Sequence, residues 1–181
     1  MSPSTGGDHG AISQGGVTIL ARHTESVHTL SGTGRTFWGP GDTVTFLITG
    51  EQTGGAYFVS EACVPPGGGP PPHIHHREAE TFYILEGEVR FRVGDNTLTA
   101  SAGDFVSAPR DTPHSFKNEG DRLVKMIVTC VPAGLEGFFE EAFYPAPDPS
   151  AMPPPATKEL IDRLMAAAPK YGLELVPPVE K

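Results

Sequence analysis

The stretch GGGPPPHIHHREAETFYILEG, residues 67–87, holds three of the seven histidines and decides the fold. His73 and His75 are two residues apart, so on an extended strand both imidazoles lie on one face while Ile74 lies on the other. Glu80 follows just before an apolar run. This pattern predicts a strand that presents metal ligands to the inside of a β structure.

A second segment, GDFVSAPRDTPHSFKN at residues 103–118, places His114 after a turn rich in Pro, Asp and Thr. Three imidazoles and one carboxylate suit Fe, Ni, Co, Mn, Cu or Zn in a site that keeps open coordination positions. We therefore predict one divalent transition metal bound by His73, His75, Glu80 and His114. The residue types do not select among these metals. His76 points opposite to His75 and is predicted to lie at the surface or behind the ligands.

The spacings of the two segments resemble the two motifs of the cupin superfamily. The residues that carry the resemblance are Gly67, His73, His75, Glu80 and Gly87 in the first segment and Gly103, Pro109, His114 and Asn118 in the second. One departure is Asp111, where the family pattern usually has glycine. Aspartate tolerates left-handed backbone geometry better than most residues, so the departure is compatible with the motif.

Short β-rich runs separated by Gly, Pro, Asp and Asn extend from Val17 to Val131, a pattern typical of an all-β sandwich or barrel. The cupin resemblance implies a double-stranded β-helix, or jelly roll, with the metal inside. Gly94-Asp95-Asn96 predicts a tight hairpin turn. The run from Ala56 to Val64 is predicted to present a sheet edge that a homodimer would cover.

Three segments follow from this pattern: a disordered segment at 1–16, the barrel at 17–131, and a C-terminal extension of short helices at 132–181. The extension has one amphipathic helix after Gly134, a Pro-rich linker, and a second helix capped by Thr157 and ended before Pro169. Both helical stripes are interpreted as packing surfaces.

Thirteen basic against 22 acidic side chains give a net charge of −9, which argues against nucleic acid and anionic membranes as partners. The sequence shows neither a secretory leader at its start nor the roughly 18 consecutive apolar residues of a membrane span. A cytoplasmic location is therefore expected. Cys63 and Cys130 lie in apolar runs without CxxC spacing, which favours free thiols over a disulfide or metal ligation.

The arrangement is also similar to quercetinase-like dioxygenases, through the Phe-Tyr pair after Glu80 and the aromatic segment GLEGFFEEAF. The resemblance implies an enolic or phenolic substrate, O₂ as co-substrate, and Glu80 as the catalytic base. Phe82, Ile84 and Phe116 share the inward parity of the ligands and are predicted to bind substrate, with ordinary barrel core as the alternative. The alternatives for function are another cupin reaction (decarboxylase, isomerase or cyclase) or a non-catalytic binding protein.

Overall fold

The computed structural model describes residues 26–148 and 150–176. The predicted disorder at 1–16, the start of the predicted barrel at 17–25, and His9 and His23 lie outside the described residues. Among the described residues, no helix has the length and hydropathy that crossing a bilayer requires.

Two antiparallel sheets form the body of the protein. The larger sheet contains, from edge to edge, β11 (Tyr144–Pro145), β1 (Thr36–Trp38), β2 (Thr43–Ile48), β3 (Phe58–Val64), β10 (Val124–Val131), β5 (Ala79–Glu86) and β8 (Phe105–Ala108). The smaller sheet contains β12 (Leu173–Leu175), β4 (His73–His75), β9 (His114–Lys117), β6 (Glu88–Val93) and β7 (Asn96–Ser101). The predicted all-β jelly roll with short C-terminal helices is confirmed.

Alternating burial along the strands explains how the sheets stack. In β3 and β10 every second side chain is buried, so each strand turns one face to the interior. The inward residues of both sheets form an apolar core that includes Phe82, Ile84, Phe91, Phe116 and Met126. The predicted hairpin is also present, with β6 and β7 joined at the pair Val93 and Asn96.

In the part of the chain that the structure describes, three α-helices accompany the sheets: α1 (Gly50–Thr53), α2 (Glu136–Ala142) and α3 (Lys158–Ala167), with a 3-10 turn at Ala168–Tyr171. The Thr157 hydroxyl accepts a hydrogen bond from the Leu160 amide at 3.1 Å, as the capping prediction requires. Leu135, Phe138, Leu160 and Leu164 pack into a second core cluster with Phe46 and Phe58 of the larger sheet. The prediction that the helices pack on the barrel is thus confirmed for these residues.

The predicted sheet edge at Ala56–Val64 is wrong. Strand β3 occupies the interior of the larger sheet, paired with β2 on one side and β10 on the other. Its backbone is used for sheet pairing on both sides, so it offers no edge to a second chain. Within the described residues, the edges are β11 and β8 of the larger sheet and β12 and β7 of the smaller one.

The C-terminal segment contributes strands as well as helices, which the sequence did not indicate. Strand β11 pairs with β1, and β12 pairs with β4, with Leu173 opposite His75 and Leu175 opposite His73. The strand that carries two predicted ligands is therefore supported by residues about 100 positions later in the chain. The segment 132–176 belongs structurally to the same two sheets.

The second motif ends in a buried side chain that joins it to the first motif. The Asn118 amide donates to the carbonyls of Val64 at 2.8 Å and Arg122 at 2.7 Å, and its oxygen accepts from the Gly120 amide at 3.0 Å. Its backbone carbonyl accepts from Gly67 at 2.8 Å. The Asn118 side chain is fully buried, so its bond to the Val64 carbonyl is shielded from water.

Asn118→Ala should lower the free energy of unfolding by about 2 kcal/mol, because the buried Val64 carbonyl loses its donor and two further hydrogen bonds, to Arg122 and Gly120, are lost. Urea denaturation measures this change. The control is Asn96→Ala at an exposed position, for which we expect a change within about 0.5 kcal/mol. Equal losses in the two variants would contradict this structural role for Asn118.

Candidate metal centre

Two of the predicted ligands project from the short strand β4. His73 and His75 are buried, whereas Ile74 between them is only half-buried, so both imidazoles point to the inside. The two histidines therefore share one face of the strand, as their spacing in the sequence predicted. The Pro-rich segment before His73 enters the strand directly, and β9 and β12 flank it on either side.

The other two predicted ligands come from different strands. His114 is the first residue of β9 and pairs directly with His73, and their ring centroids are 4.4 Å apart. Glu80 lies on β5 of the opposite sheet. The site thus joins the two sheets, with three imidazoles on the smaller sheet and the carboxylate on the larger one.

The structure brings all four predicted ligands together. Each offers one ligand atom, and these atoms lie within 4.8 Å of one another. Glu80 Oε2 is 3.0 Å from His114 Nε2 and 3.5 Å from His75 Nε2. Four buried donors at such separations can hold one divalent metal ion.

The outward nitrogens of the imidazoles have their own neighbours. His73 Nδ1 is 2.9 Å from the Pro71 carbonyl oxygen, and His114 Nδ1 is 2.9 Å from the Thr112 carbonyl oxygen. A carbonyl only accepts hydrogen bonds, so each Nδ1 carries a proton and donates it. This leaves Nε2 as the atom directed to the centre, which is the arrangement typical of histidines that bind metals.

Glu78 is a buried carboxylate behind His75 that sequence reasoning missed. Its Oε2 lies 3.6 Å from His75 Nδ1, and neither atom has a hydrogen-bond partner among the described residues. A carboxylate beside the outer nitrogen of an imidazole can orient the ring and increase its basicity. Both residues are almost fully buried, which strengthens their electrostatic interaction.

The neighbouring histidines offset the effect of burial on the pKa of Glu80. Burial alone would raise the pKa of Glu80, but the charges of His75 and His114 and the hydrogen bond from His114 outweigh it, so its pKa falls to about 2. Burial lowers the pKa of His114, but the bond and charge of Glu80 raise it above its usual value. Burial, with the charges of His114 and His75, lowers the pKa of His73 to about 3. The pair Glu80 and His114 therefore shares a proton that a metal ion would replace.

The ligand cluster opens on a cavity of about 320 Å³. His73, His75 and Glu80 form part of its wall, and most of the remaining wall is apolar. Apolar wall residues come from the barrel, α2, α3 and the C-terminal strand; they include Val44, Ala62, Phe116, Val128, Phe138, Phe139, Phe143, Ile161, Leu164, Met165, Leu173 and Leu175. Ile161 and Met165 of α3 line this cavity and are nevertheless 42% and 56% exposed.

The three predicted substrate-binding residues separate into two groups. Phe116 lines the cavity. Phe82 and Ile84 point inward as predicted, but they are completely buried in the core and are not among the residues that line the described cavity. Phe82 packs against Phe116 with ring centroids 5.7 Å apart, so it supports the wall from behind.

Two polar residues in the cavity wall were also missed. Asp42 precedes β2 and Ser60 lies on β3, and both are buried and line the cavity. Burial, and next the charge of Glu80, raise the pKa of Asp42 to about 7. The sequence could have indicated Asp42, because Asp42, Val44 and Phe46 are spaced two residues apart. This spacing places Asp42 on the same inward face of the strand as the two apolar residues.

The remaining predictions concern His76 and the cysteines. His76 is exposed and bonds to Asp111 at 2.6 Å and Glu174 at 3.1 Å, so it lies outside the ligand cluster. Asp111 has φ 61°, in agreement with the left-handed geometry expected at the departure from the motif. Cys63 and Cys130 are free thiols, and Cys130 Sγ lies 3.8 Å from Glu80 Oε1.

Comparison with known proteins agrees with this architecture. Residues 60–130 match the cupin domain family. The quercetin 2,3-dioxygenase of Bacillus subtilis (strain 168) is 31% identical over 103 residues, which cover 51% of this chain and 30% of that protein. The quercetin 2,3-dioxygenase of Aspergillus japonicus is 31% identical over 101 residues, which cover 52% and 29%.

The solved structure of a predicted oxalate decarboxylase from Thermotoga maritima is similar in fold. Its TM-score is 0.54 at 21% identity, with 59% of this chain and 99% of that chain covered. At this identity the likeness concerns the fold alone. The chain spans about 30% of the length of the two dioxygenases.

The double variant His73→Ala/His75→Ala should lose its bound metal, because two of four donors are removed. Elemental analysis of protein purified without added metal measures the metal content. His76→Ala is the matched control, since this neighbouring imidazole points outward, and it should keep the metal. Unchanged metal content in the double variant would rule out the proposed centre.

Metal affinity should fall as the pH is lowered. The raised pKa of His114 means that its protonated ring persists to a higher pH than in a free histidine, and the metal must displace that proton. Calorimetric metal titration in buffers of different ionisation enthalpy should detect proton release on metal binding, with more protons released as the pH is lowered. Binding without proton release would contradict the shared-proton arrangement.

Proposed function

Since this chain carries a cupin domain in a single jelly-roll barrel, we propose that it is a metal-dependent dioxygenase acting on an enolic or phenolic small molecule. The observation that carries the proposal is a His₃Glu cluster facing a cavity with mainly apolar walls. Aromatic enols and phenols match such walls, and their hydroxyl is the group that a metal-ligating cluster can bind. The similarity to two quercetin 2,3-dioxygenases supports the same reaction class.

The charge of the cavity wall suits a neutral substrate better than the anionic substrates of other cupin reactions. Within the described residues, the wall contains neither lysine nor arginine. The metal would be the single cationic partner of an anionic substrate, so the anionic groups of a dicarboxylate or a sugar phosphate that lie beyond its reach would lose their hydration uncompensated. Decarboxylation of a small dicarboxylate and isomerisation of a phosphorylated sugar are therefore less compatible with the site than oxidation of a neutral aromatic molecule.

The residues of the site would have three separate roles: metal binding, proton transfer and orientation of the substrate. His73, His75 and His114, with Glu80, would hold the metal, whose Lewis acidity would lower the pKa of a substrate hydroxyl. Glu80, whose side chain lines the same cavity, would accept the hydroxyl proton as a general base. Phe116 and the aromatic rings of α2 would orient the substrate and exclude water.

Glu80→Gln should keep most of the bound metal, because three imidazoles remain, and should lower turnover by about 10²–10⁴-fold as expected for loss of a general base. Oxygen uptake with quercetin and other enols measures activity, and elemental analysis measures the metal. Glu86→Gln, an exposed acid on the same strand, is the control and should leave both unchanged.

Metal loss in step with activity loss, reversed by excess metal, would identify Glu80 as a ligand only. Turnover of an enol under strict exclusion of oxygen would reject the dioxygenase in favour of a non-oxidative cupin reaction. Binding of enols without turnover in air would favour a binding protein.

A further inference from the structure

His75 lies between two carboxylates that come from one stretch of chain. Glu80 Oε2 is 3.5 Å from its Nε2, and Glu78 Oε2 is 3.6 Å from its Nδ1. Glu78 directly precedes β5 and Glu80 is the second residue of that strand, so their spacing of two directs both side chains inward. The proposed chemistry uses Glu80 alone, which leaves the buried Glu78 without a role.

The contact between Glu78 and His75 joins two atoms that have no other partner. Among the described residues, the buried side-chain atoms without a hydrogen-bond partner are Trp38 Nε1, His75 Nδ1 and Glu78 Oε2. The last two face each other, and Glu78 is 2% and His75 3% exposed. A separation of 3.6 Å leaves no room for a water molecule between them. Each atom is therefore the available partner of the other.

His75 differs in this respect from the other two histidines of the cluster. The outer nitrogens of His73 and His114 each lie 2.9 Å from a backbone carbonyl oxygen, which holds a proton on Nδ1. A neutral imidazole can carry its proton on either nitrogen, and the Nδ1–H form is the one that leaves Nε2 free for a metal. Within the described residues, His75 Nδ1 has no such carbonyl, so the selection of this form falls to Glu78.

The charge of the carboxylates gives a second reason for a role of Glu78. Three neutral imidazoles leave the two positive charges of a divalent ion uncompensated. Uncompensated charge is costly in a buried site. The carboxylates of Glu78 and Glu80 together would balance a divalent ion, whereas Glu80 alone would leave one positive charge in excess.

We propose that Glu78 is the positioning residue of His75: it accepts a hydrogen bond from Nδ1–H, keeps Nε2 directed to the metal, and thereby determines how tightly the site binds it. The separation of 3.6 Å is longer than a hydrogen bond. We expect the bond to form when Nε2 is coordinated, because a metal on the ring makes the opposite N–H a stronger donor. The inference rests on the metal centre and does not depend on which reaction takes place there.

The test uses Zn²⁺ as the probe and the full chain as the protein. Competition with a chromophoric chelator measures the zinc dissociation constant. Glu78→Ala should raise this constant by about 10–100-fold, the usual effect of removing the partner of a ligating histidine. Glu78→Gln keeps the size of the side chain and an oxygen that can accept from Nδ1–H, so it should raise the constant less. The order of the two losses follows from the loss of charge alone or of charge and acceptor together.

Glu136→Gln is the matched control. It removes the same charge from a neighbouring segment, but the Glu136 carboxylate accepts hydrogen bonds from the Gly50 and Gly134 amides instead of contacting a ligand histidine. It should leave the zinc dissociation constant unchanged. Without metal, Glu78→Gln should unfold at the same urea concentration as the wild type or a higher one, because a poorly solvated carboxylate is removed.

NMR spectra of the zinc-loaded protein with ¹⁵N-labelled histidine separate a positioning role from a general structural one. In Glu78→Ala the Nδ1–H resonance of His75 should shift and exchange faster with water, because its acceptor is gone. The Nδ1–H resonances of His73 and His114 should stay in place, since backbone carbonyls accept from them. A general loss of structure would change all three rings.

Several results would overturn the inference: an unchanged zinc constant in both Glu78 variants, an equal loss in Glu136→Gln, or an unchanged His75 resonance in Glu78→Ala. If Glu78→Ala does not fold, the same measurements on Glu78→Gln decide, and failure of both variants to fold would make Glu78 a structural residue. A wild type that binds no zinc would reject the metal centre and this inference together. Oxygen uptake enters none of these measurements, so absence of dioxygenase activity would reject the proposed reaction and leave the role of Glu78 intact.

Discussion

Three imidazoles and a carboxylate must be kept together inside an apolar barrel, and the rest of the structure depends on this constraint. The histidines belong to β4 and β9 of the smaller sheet, and Glu80 belongs to β5 of the larger one. Their ligand atoms lie within 4.8 Å of one another only if the two sheets stack at a fixed distance and register. The core around Phe82, Phe91 and Met126 fixes that stacking. Packing thus holds the donors together against the cost of burying them.

Burial also determines the charge state of the site. An isolated carboxylate at this depth would become protonated, but the imidazoles around Glu80 reverse the effect and keep it ionised. The same contact raises the pKa of His114, so one proton is held between the two groups. Backbone carbonyls at Pro71 and Thr112 direct the outer nitrogens of two rings. A site in which the inner nitrogens converge on a shared proton is chemically suited to exchange that proton for a metal ion.

The cavity beside the site is built from parts of the chain that are distant in sequence. Barrel strands supply part of the wall, and α2, α3 and β12 supply further parts of it. These elements bring aromatic and aliphatic side chains, without a cationic group among the described wall residues. Away from the metal ligands, this wall favours neutral aromatic groups over anionic ones, because a charge would lose its hydration there. Among the described wall residues, Asp42 and Ser60 are the polar exceptions besides the metal ligands.

The sequence by itself determined the fold class and the four clustered side chains, because strand parity and motif spacing are local properties of the chain. The match of His73, His75, Glu80 and His114 to the two cupin motifs predicted their convergence. The tertiary structure decided the features that depend on strand order: β3 is interior, β12 supports β4, and Asp42 faces the ligands across the sheet. It also separated Phe116, which reaches the cavity, from Phe82 and Ile84, which share its inward direction but lie in the core. Parity states which face a side chain occupies, whereas only the packing of distant segments determines whether that face meets core or cavity.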